Sequence, residues 1–254
     1  MQLKSDNCYL FDSNTVNNIV SNITNMSPYA FEYQLGGGYL TLPGGHRVGI
    51  CGSMQTRLNG EYIFKEICSI NIRVCKSKIV YDEEVFSKLH TQNSIYNTCI
   101  VSPPKCGKTT FLKNYIIYLS KIMPQVHICV ADEREELCGG AYMQSSGVMG
   151  HNTSFISACS KIHAAEMFVR CMSPGVVIFD EVWSEDDFRA VENVFAAGVG
   201  AVFSIHGTSF DTVSKRKELE HLLPYIHCYA DISCRNGVGT IEQIGRVAIG
   251  ERFG

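Results

Sequence analysis

Thr98-Cys99-Ile100-Val101-Ser102-Pro103-Pro104-Lys105-Cys106-Gly107-Lys108-Thr109-Thr110 is the stretch that decides the fold. An apolar run ends in a short loop, and Gly-Lys-Thr then opens a segment of helical periodicity. That order of strand, loop and helix is the setting a Walker A phosphate loop requires. The residue types follow from the chemistry. Backbone N–H groups at a helix start bind phosphate oxygens, a lysine supplies a cation to the β- and γ-phosphates, and a threonine hydroxyl joins a Mg²⁺ shell. Lys108 and Thr109 take those roles, and Gly107 keeps a Cβ out of the path of the phosphates. Ser102 stands where the full pattern has its first glycine, and Lys105 where many such loops have another.

The second half of the site lies roughly 70 residues downstream, where Gly175-Val176-Val177-Ile178-Phe179-Asp180-Glu181 reads as a buried strand ending in two carboxylates. Ligands of open α/β sheets bind beyond the carboxyl ends of the strands. Asp180 is expected to hold Mg²⁺ through water, and Glu181 to act as general base on the attacking water. Two more strand ends point to the same edge: Ala131-Asp132-Glu133-Arg134 and Ser204-Ile205-His206-Gly207. Asp132 or Glu133 is a candidate to assist metal or water, and His206 a candidate γ-phosphate sensor.

Outward from this core the chain alternates strands at 98–102, 126–131, 176–179 and 200–205 with helices at about 109–121, 161–171, 185–197 and 211–222. The fold class is therefore α/β, a RecA-like P-loop NTPase with a mostly parallel sheet and helices on both faces. The runs 227–234 and 240–247 flank Asn236-Gly237 and predict a C-terminal antiparallel hairpin. The first third differs. Residues 12–23 carry a short amphipathic helix capped by Asp12 or Ser13. β-prone runs follow at 31–35, 39–42, 47–51, 62–67 and 69–74, separated by Gly36-Gly37-Gly38, Pro43-Gly44-Gly45 and Asn59-Gly60. The division expected is a small α+β domain over 1–90 and an ATPase domain over 91–254.

A net charge of -3 offers no broad attraction for phosphate backbones, so nucleic acid is not the expected partner. No apolar stretch approaches the roughly 20 residues of a membrane span, and the first 27 residues lack the pattern of a signal peptide, which predicts a cytoplasmic chain. None of the 12 cysteines forms a Cys-x-x-Cys pair, and the expectation is reduced thiols packed as small hydrophobes. Cys106, in the loop, is expected to be free and open to alkylation. A nucleic-acid-dependent RecA-like ATPase and a small-molecule kinase share these elements and stay as alternatives; Glu181 directly after Asp180 suits water activation better than transfer to a bound hydroxyl.

The runs Gly44 to Gly52, Ser69-Ile70-Asn71-Ile72-Arg73, Ser102 to Thr110, Asp132-Glu133-Arg134, Arg170-Cys171-Met172-Ser173-Pro174 through Asp180-Glu181, and His206-Gly207 together resemble the stage III sporulation protein AA family. That family is similar to the ring ATPases of type II and type IV secretion and pilus systems. The resemblance implies a homo-hexameric ATPase of the mother cell, using ATP and Mg²⁺ and docked peripherally on membrane channel proteins of the sporulation apparatus. It implies a phosphate loop spanning Ser102, Pro103, Pro104, Lys105, Cys106, Gly107, Lys108, Thr109 and Thr110. It also implies that arginines of the N-terminal domain reach the nucleotide. Arg47 and Arg73 lie in the matching runs, Arg57 is a weaker candidate, and Arg134 and Arg170 are candidates within the ATPase domain.

Overall fold

The computed structural model describes residues 12–24, 31–42, 46–57, 60, 62–74, 81–137 and 150–247. The turn expected at Pro43-Gly44-Gly45 and Asn59 of the next turn lie outside them. Contacts divide the chain into two compact units, Met1–Lys76 and Ser77–Gly254, so the described residues 81–90 fall in the second unit.

In the first unit Asp12 caps α1 (Ser13–Ile23) by accepting the Thr15 N–H at 2.7 Å, and Val16 and Val20 form its buried stripe. Residues 31–35, expected as a strand, instead begin α2 (Glu32–Gly36). The alternation of Phe31, Tyr33 and Leu35 suggests period two, but Phe31 and Leu35 are also one helical turn apart. Both pack on the small cluster of Val20, Leu40, Val48 and Ile50. Gln34 locks the turn that follows, its Oε1 accepting the Thr41 N–H at 2.8 Å. Strands β1 (Tyr39–Leu42), β2 (His46–Thr56) and β3 (Tyr62–Arg73) make an antiparallel sheet in that order. The β2–β3 register shifts at Cys51/Gly52, where a Cβ on Gly52 would lie 1.9 Å from the Glu66 carbonyl oxygen. Beyond this shift β2 is exposed to its end.

The second unit opens with α3 (Glu83–Ser87) and is built on a seven-stranded sheet. Its elements are β4 (Thr98–Ser102), α4 (Lys108–Ile122), β5 (Ile128–Asp132), β6 (Thr153–Ser157), α5 (Lys161–Cys171), β7 (Val176–Phe179), α6 (Glu185–Ala196), β8 (Gly200–His206), α7 (Phe210–Val213), α8 (Lys217–Glu220), β9 (Cys228–Ser233) and β10 (Thr240–Arg246). The strand order is β10-β9-β4-β8-β7-β5-β6, and only β10 runs antiparallel to its neighbour.

Side chains alternate across a strand, so strands covered on both faces read as continuous apolar runs. Val101, Ala131, Val177, Phe179 and Phe203 face one layer with Ala165 and Phe168 of α5 and Val191 and Val194 of α6. Ile100, Val130, Ile178 and Val202 face the other with Phe111, Leu112, Tyr115 and Leu119 of α4 and Phe86 of α3. Each large apolar side chain so buried contributes about 1.5–3 kcal/mol.

Three features differ from expectation. The edge strand β6 is half polar in sequence and only partly buried, which hid it. The tail hairpin forms, but β9 joins the main sheet parallel to β4 rather than standing apart. The helix expected at 211–222 is broken, because Arg216 is extended (φ -77°, ψ 135°) between α7 and α8. No described helix is long and apolar enough to cross a membrane.

Candidate active site

The strand order places the ends of β4, β8, β7 and β5 side by side. Ser102 of β4 is in register with His206 of β8, so the loop leaving β4 meets the histidine that closes β8. In that loop Lys105 has φ +63° and Gly107 φ +102°. Lys105 therefore takes the left-handed backbone conformation that glycine supplies more readily. A Cβ on Gly107 would come within 3.2 Å of Gly239, which crosses behind the loop. Gly107 caps α4 with no side chain on the first-turn amides.

Lys108 is buried, and its Nζ donates to His206 Nδ1 at 2.8 Å. Burial pulls the Lys108 ammonium below its usual pKa, against the opposing charges of Asp180, Glu181 and Glu136. With Nδ1 accepting, His206 donates from Nε2 to Glu181 Oε1 at 2.7 Å. Arg134 binds the other carboxylate oxygen, Oε2. Burial works to raise the Glu181 carboxyl, but the His206 hydrogen bond and the charges of Arg134 and Lys108 outweigh it and hold the group below the usual carboxylate range. Glu181 stands at φ +53°, a strained backbone for a residue with a side chain.

Beside this chain lies a second one. Thr109 Oγ1 donates to Asp180 Oδ2 at 2.6 Å, and Ser204 Oγ donates to Asp180 Oδ1 at 2.6 Å. The structure thus brings Lys108, Thr109, Asp180, Glu181 and His206 together, with Arg134, one of the two arginine candidates of the ATPase domain, beside them. It also adds Ser204, which sequence reasoning passed over as one small residue in an apolar strand.

Asp132 is buried and accepts the Leu137 N–H at 3.0 Å, which shapes the loop after β5. Glu133 is bound by the buried Lys161 at 2.6 Å, and Lys161 also lies 3.4 Å from Asp187 of α6. Asp132, Glu133 and Lys161, with Arg134, Asp180 and Glu181, line a cavity of about 20 Å³. A polar space of that size holds one water molecule. Arg170 is exposed at the end of α5, where the chain turns back into β7 and away from these strand ends. In the first unit Arg47 and Arg73 are cross-strand partners, Arg47 lies over the Tyr39 ring at 4.5 Å, and Arg57 pairs with Glu32 at 2.5 Å.

Cys106 is not a free thiol. It is 7% exposed and disulfide-bonded to Cys234, with the Cα atoms 5.2 Å apart. The β9–β10 turn folds back over the loop, where the Gly239 N–H donates to the Cys106 carbonyl at 3.0 Å, and this brings the two residues within bonding reach. Of the cysteines expected to pack as core thiols because they lie in apolar runs, Cys99 and Cys129 are buried and free, whereas Cys171 is exposed at the end of α5.

The architecture is that of a P-loop ATPase. It is similar to the X-ray structure of the Legionella pneumophila ATPase DotB, with a TM-score of 0.56 at 10% identity over 88% of this chain and 64% of that one. It is also similar to the Yersinia pseudotuberculosis ATPase DotB, with a TM-score of 0.52 at 13% identity over 87% of this chain and 63% of that one. The chain thus spans less than two thirds of either structure, and the likeness is one of fold. Sequence gives the family. Residues 1–244 match the model for sporulation stage III, protein AA, and the chain is 36% identical over 231 residues to the stage III sporulation protein AA of Bacillus subtilis (strain 168), covering 89% of this chain and 75% of that protein. The chain belongs to the stage III sporulation protein AA family.

Proposed function

We propose that this chain is a Mg²⁺-dependent ATP hydrolase that works as an oligomeric motor, energising a membrane channel or secretion-like apparatus between mother cell and forespore. One observation carries the catalytic part: the hydrogen-bonded path from Lys108 through His206 and Glu181 to Arg134, running beside the Thr109–Asp180 pair. Family membership supports the sporulation part.

The residues fit Mg-ATP. Thr109 and Asp180 present hard oxygen donors 2.6 Å apart, which suits Mg²⁺. The uncapped amides at the start of α4 suit phosphate oxygens. Bound there, Mg²⁺ would neutralise charge developing on the transferring phosphoryl group. Lys108 binds the β- and γ-phosphates and in doing so gives up its bond to His206, leaving Nδ1 of that ring free to register the nucleotide. Glu181 takes the proton of a water held in the small cavity beside it. While Arg134 and His206 occupy both its oxygens it is a weak base, so loosening of this pairing precedes turnover. Asp132 and Glu133 hold the cavity wall.

Assembly as a homo-hexamer, peripheral docking on membrane proteins in the mother cell, and contact of Arg47 or Arg73 with phosphate belong to the same proposal. The test is ATP hydrolysis by the purified chain with and without nucleic acid, alongside Lys108→Ala. Turnover independent of nucleic acid, lost in the variant, is expected. Equal affinity of wild type and Lys108→Ala for a non-hydrolysable ATP analogue would overturn the site, and strong stimulation by nucleic acid would favour a nucleic-acid-dependent ATPase.

A further inference from the structure

Ser204 is wholly buried in β8, and its hydroxyl makes two bonds of opposite sense. It donates to Asp180 Oδ1 at 2.6 Å and accepts the Glu181 N–H at 2.8 Å. Its backbone carbonyl accepts the Val182 N–H at 2.8 Å. The β7–β8 ladder ends at Phe179 opposite Phe203, so Ser204 stands where β7 leaves the sheet. From that position one residue holds three consecutive residues of the turn that carries both carboxylates.

The two side-chain bonds do different work. Asp180 is gripped from both sides, Oδ1 by Ser204 and Oδ2 by Thr109, so its carboxylate has one orientation. Glu181, at φ +53°, lies beyond the end of the β7–β8 ladder, and the Ser204 oxygen satisfies its N–H. Without it a part-buried donor is left unpaired at a strained residue, and the alternative turn conformations become competitive.

We propose that Ser204 is a positioning residue for both carboxylates. Through Asp180 it sets the divalent-cation dependence of nucleotide binding, and through the Glu181 N–H it sets the rate of water attack. This rests on the Mg-ATP reading above. A buried serine with a purely packing role would affect stability alone, and the experiment separates the two.

The full chain is prepared as wild type, Ser204→Ala, Ser204→Cys, which keeps the volume with a weak hydrogen-bonding group, and Ser204→Thr, which keeps the hydroxyl. Binding of a fluorescent non-hydrolysable ATP analogue is titrated with Mg²⁺ and repeated in EDTA, and kcat and KM are measured separately. Trp183 is the single tryptophan of the chain and lies just past Glu181, so its emission reports on the turn. In Ser204→Ala and Ser204→Cys the Mg²⁺ half-saturation is expected to rise and kcat to fall, each by about 10- to 100-fold, the range for losing a group that orients a metal ligand. Metal-free nucleotide binding is expected to stay within about twofold of wild type, since these bonds do not touch the phosphate loop, and the Mg²⁺-dependent Trp183 signal to weaken. Ser204→Thr restores the wild-type pattern. Should the alanine variant not fold, the cysteine variant carries the comparison. Wild-type Mg²⁺ dependence in folded Ser204→Ala or Ser204→Cys overturns the proposal, as does an equal loss of affinity with and without Mg²⁺. A wild type that binds no nucleotide in Mg²⁺ removes the functional reading, and this inference with it.

Discussion

The two units of the chain show how differently a sheet can be used. In the second unit β4 and β5 are buried along their whole length, because helices cover both faces. In the first, β3 is exposed or half-exposed throughout, and the described residues include only five buried apolar side chains, Val16, Val20, Leu40, Val48 and Ile50. A sheet buried on both sides fixes its strand ends rigidly, and rigid strand ends are where charged groups can be held close together. The hydrogen-bonded carboxylates and the histidine of the candidate site stand at such ends, and Lys108 opens the helix that the loop after β4 leads into. The long β2–β3 ribbon instead exposes Met54, Tyr62 and Ile72, which suits a surface more than a catalytic pocket.

The comparison predicts first that the largest losses of chemistry come from changes in the second unit. Glu181→Gln is expected to bind Mg-ATP and hydrolyse it about 10² to 10⁴-fold more slowly, the range for losing a general base. Asp180→Asn is expected to weaken Mg²⁺-dependent binding as well as the chemical step. Single-turnover hydrolysis alongside nucleotide binding checks both. Near-normal turnover in Glu181→Gln would move the base to Glu133 or Asp132.

Stability gives the next largest contrast. Phe203 is fully buried between the layers, whereas Ile72 is 50% exposed on β3. Phe203→Ala is expected to cost about 3–5 kcal/mol, and Ile72→Ala about 0.5 kcal/mol or less. Denaturant midpoints for the two variants decide it; equal losses would mean that the two units do not differ as described.

The smallest effect is electrostatic. The folded-state pKa of Glu181 is lowered, so its pairing contributes fully above the unfolded carboxylate range and is lost as pH falls through the folded value. Glu181→Gln should therefore lower stability near neutrality and converge with wild type in acid, which flattens the acid limb of the stability curve. Urea unfolding between pH 7 and pH 3 measures this, and an unchanged acid limb would show that the pairing of Glu181 with Arg134 and His206 carries no net stability.

How much of this was legible in the sequence depended on the range of the signal. The phosphate loop and the Asp180–Glu181 strand end stand out because each joins an apolar run to polar residues whose chemistry needs that placement. The expected alternation of strand and helix became the parallel sheet. Ser204 was hidden because a serine inside Val202-Phe203-Ser204-Ile205 reads as filler, and only the neighbouring strand gives its hydroxyl two partners. Glu133 reads as a site acid, but Lys161, which holds it, comes from the helix after β6. Residues 31–35 carried two periodicities at once, and tertiary packing chose between them. The bond from Cys106 to Cys234 joins residues 128 apart, a distance over which spacing in the sequence conveys nothing.

That bond has a consequence for the chain as a thread. It closes a covalent ring that begins in the loop after the first strand of the ATPase sheet and ends at the last hairpin, with β5, β6, β7, β8 and β9 inside it. Closing a ring across a sequence separation of 128 lowers the freedom of the disordered chain by an amount worth about 4.9 kcal/mol on an entropic account. A backbone cut anywhere within it produces two pieces that still travel as one molecule, and only reduction of Cys106–Cys234 lets them part.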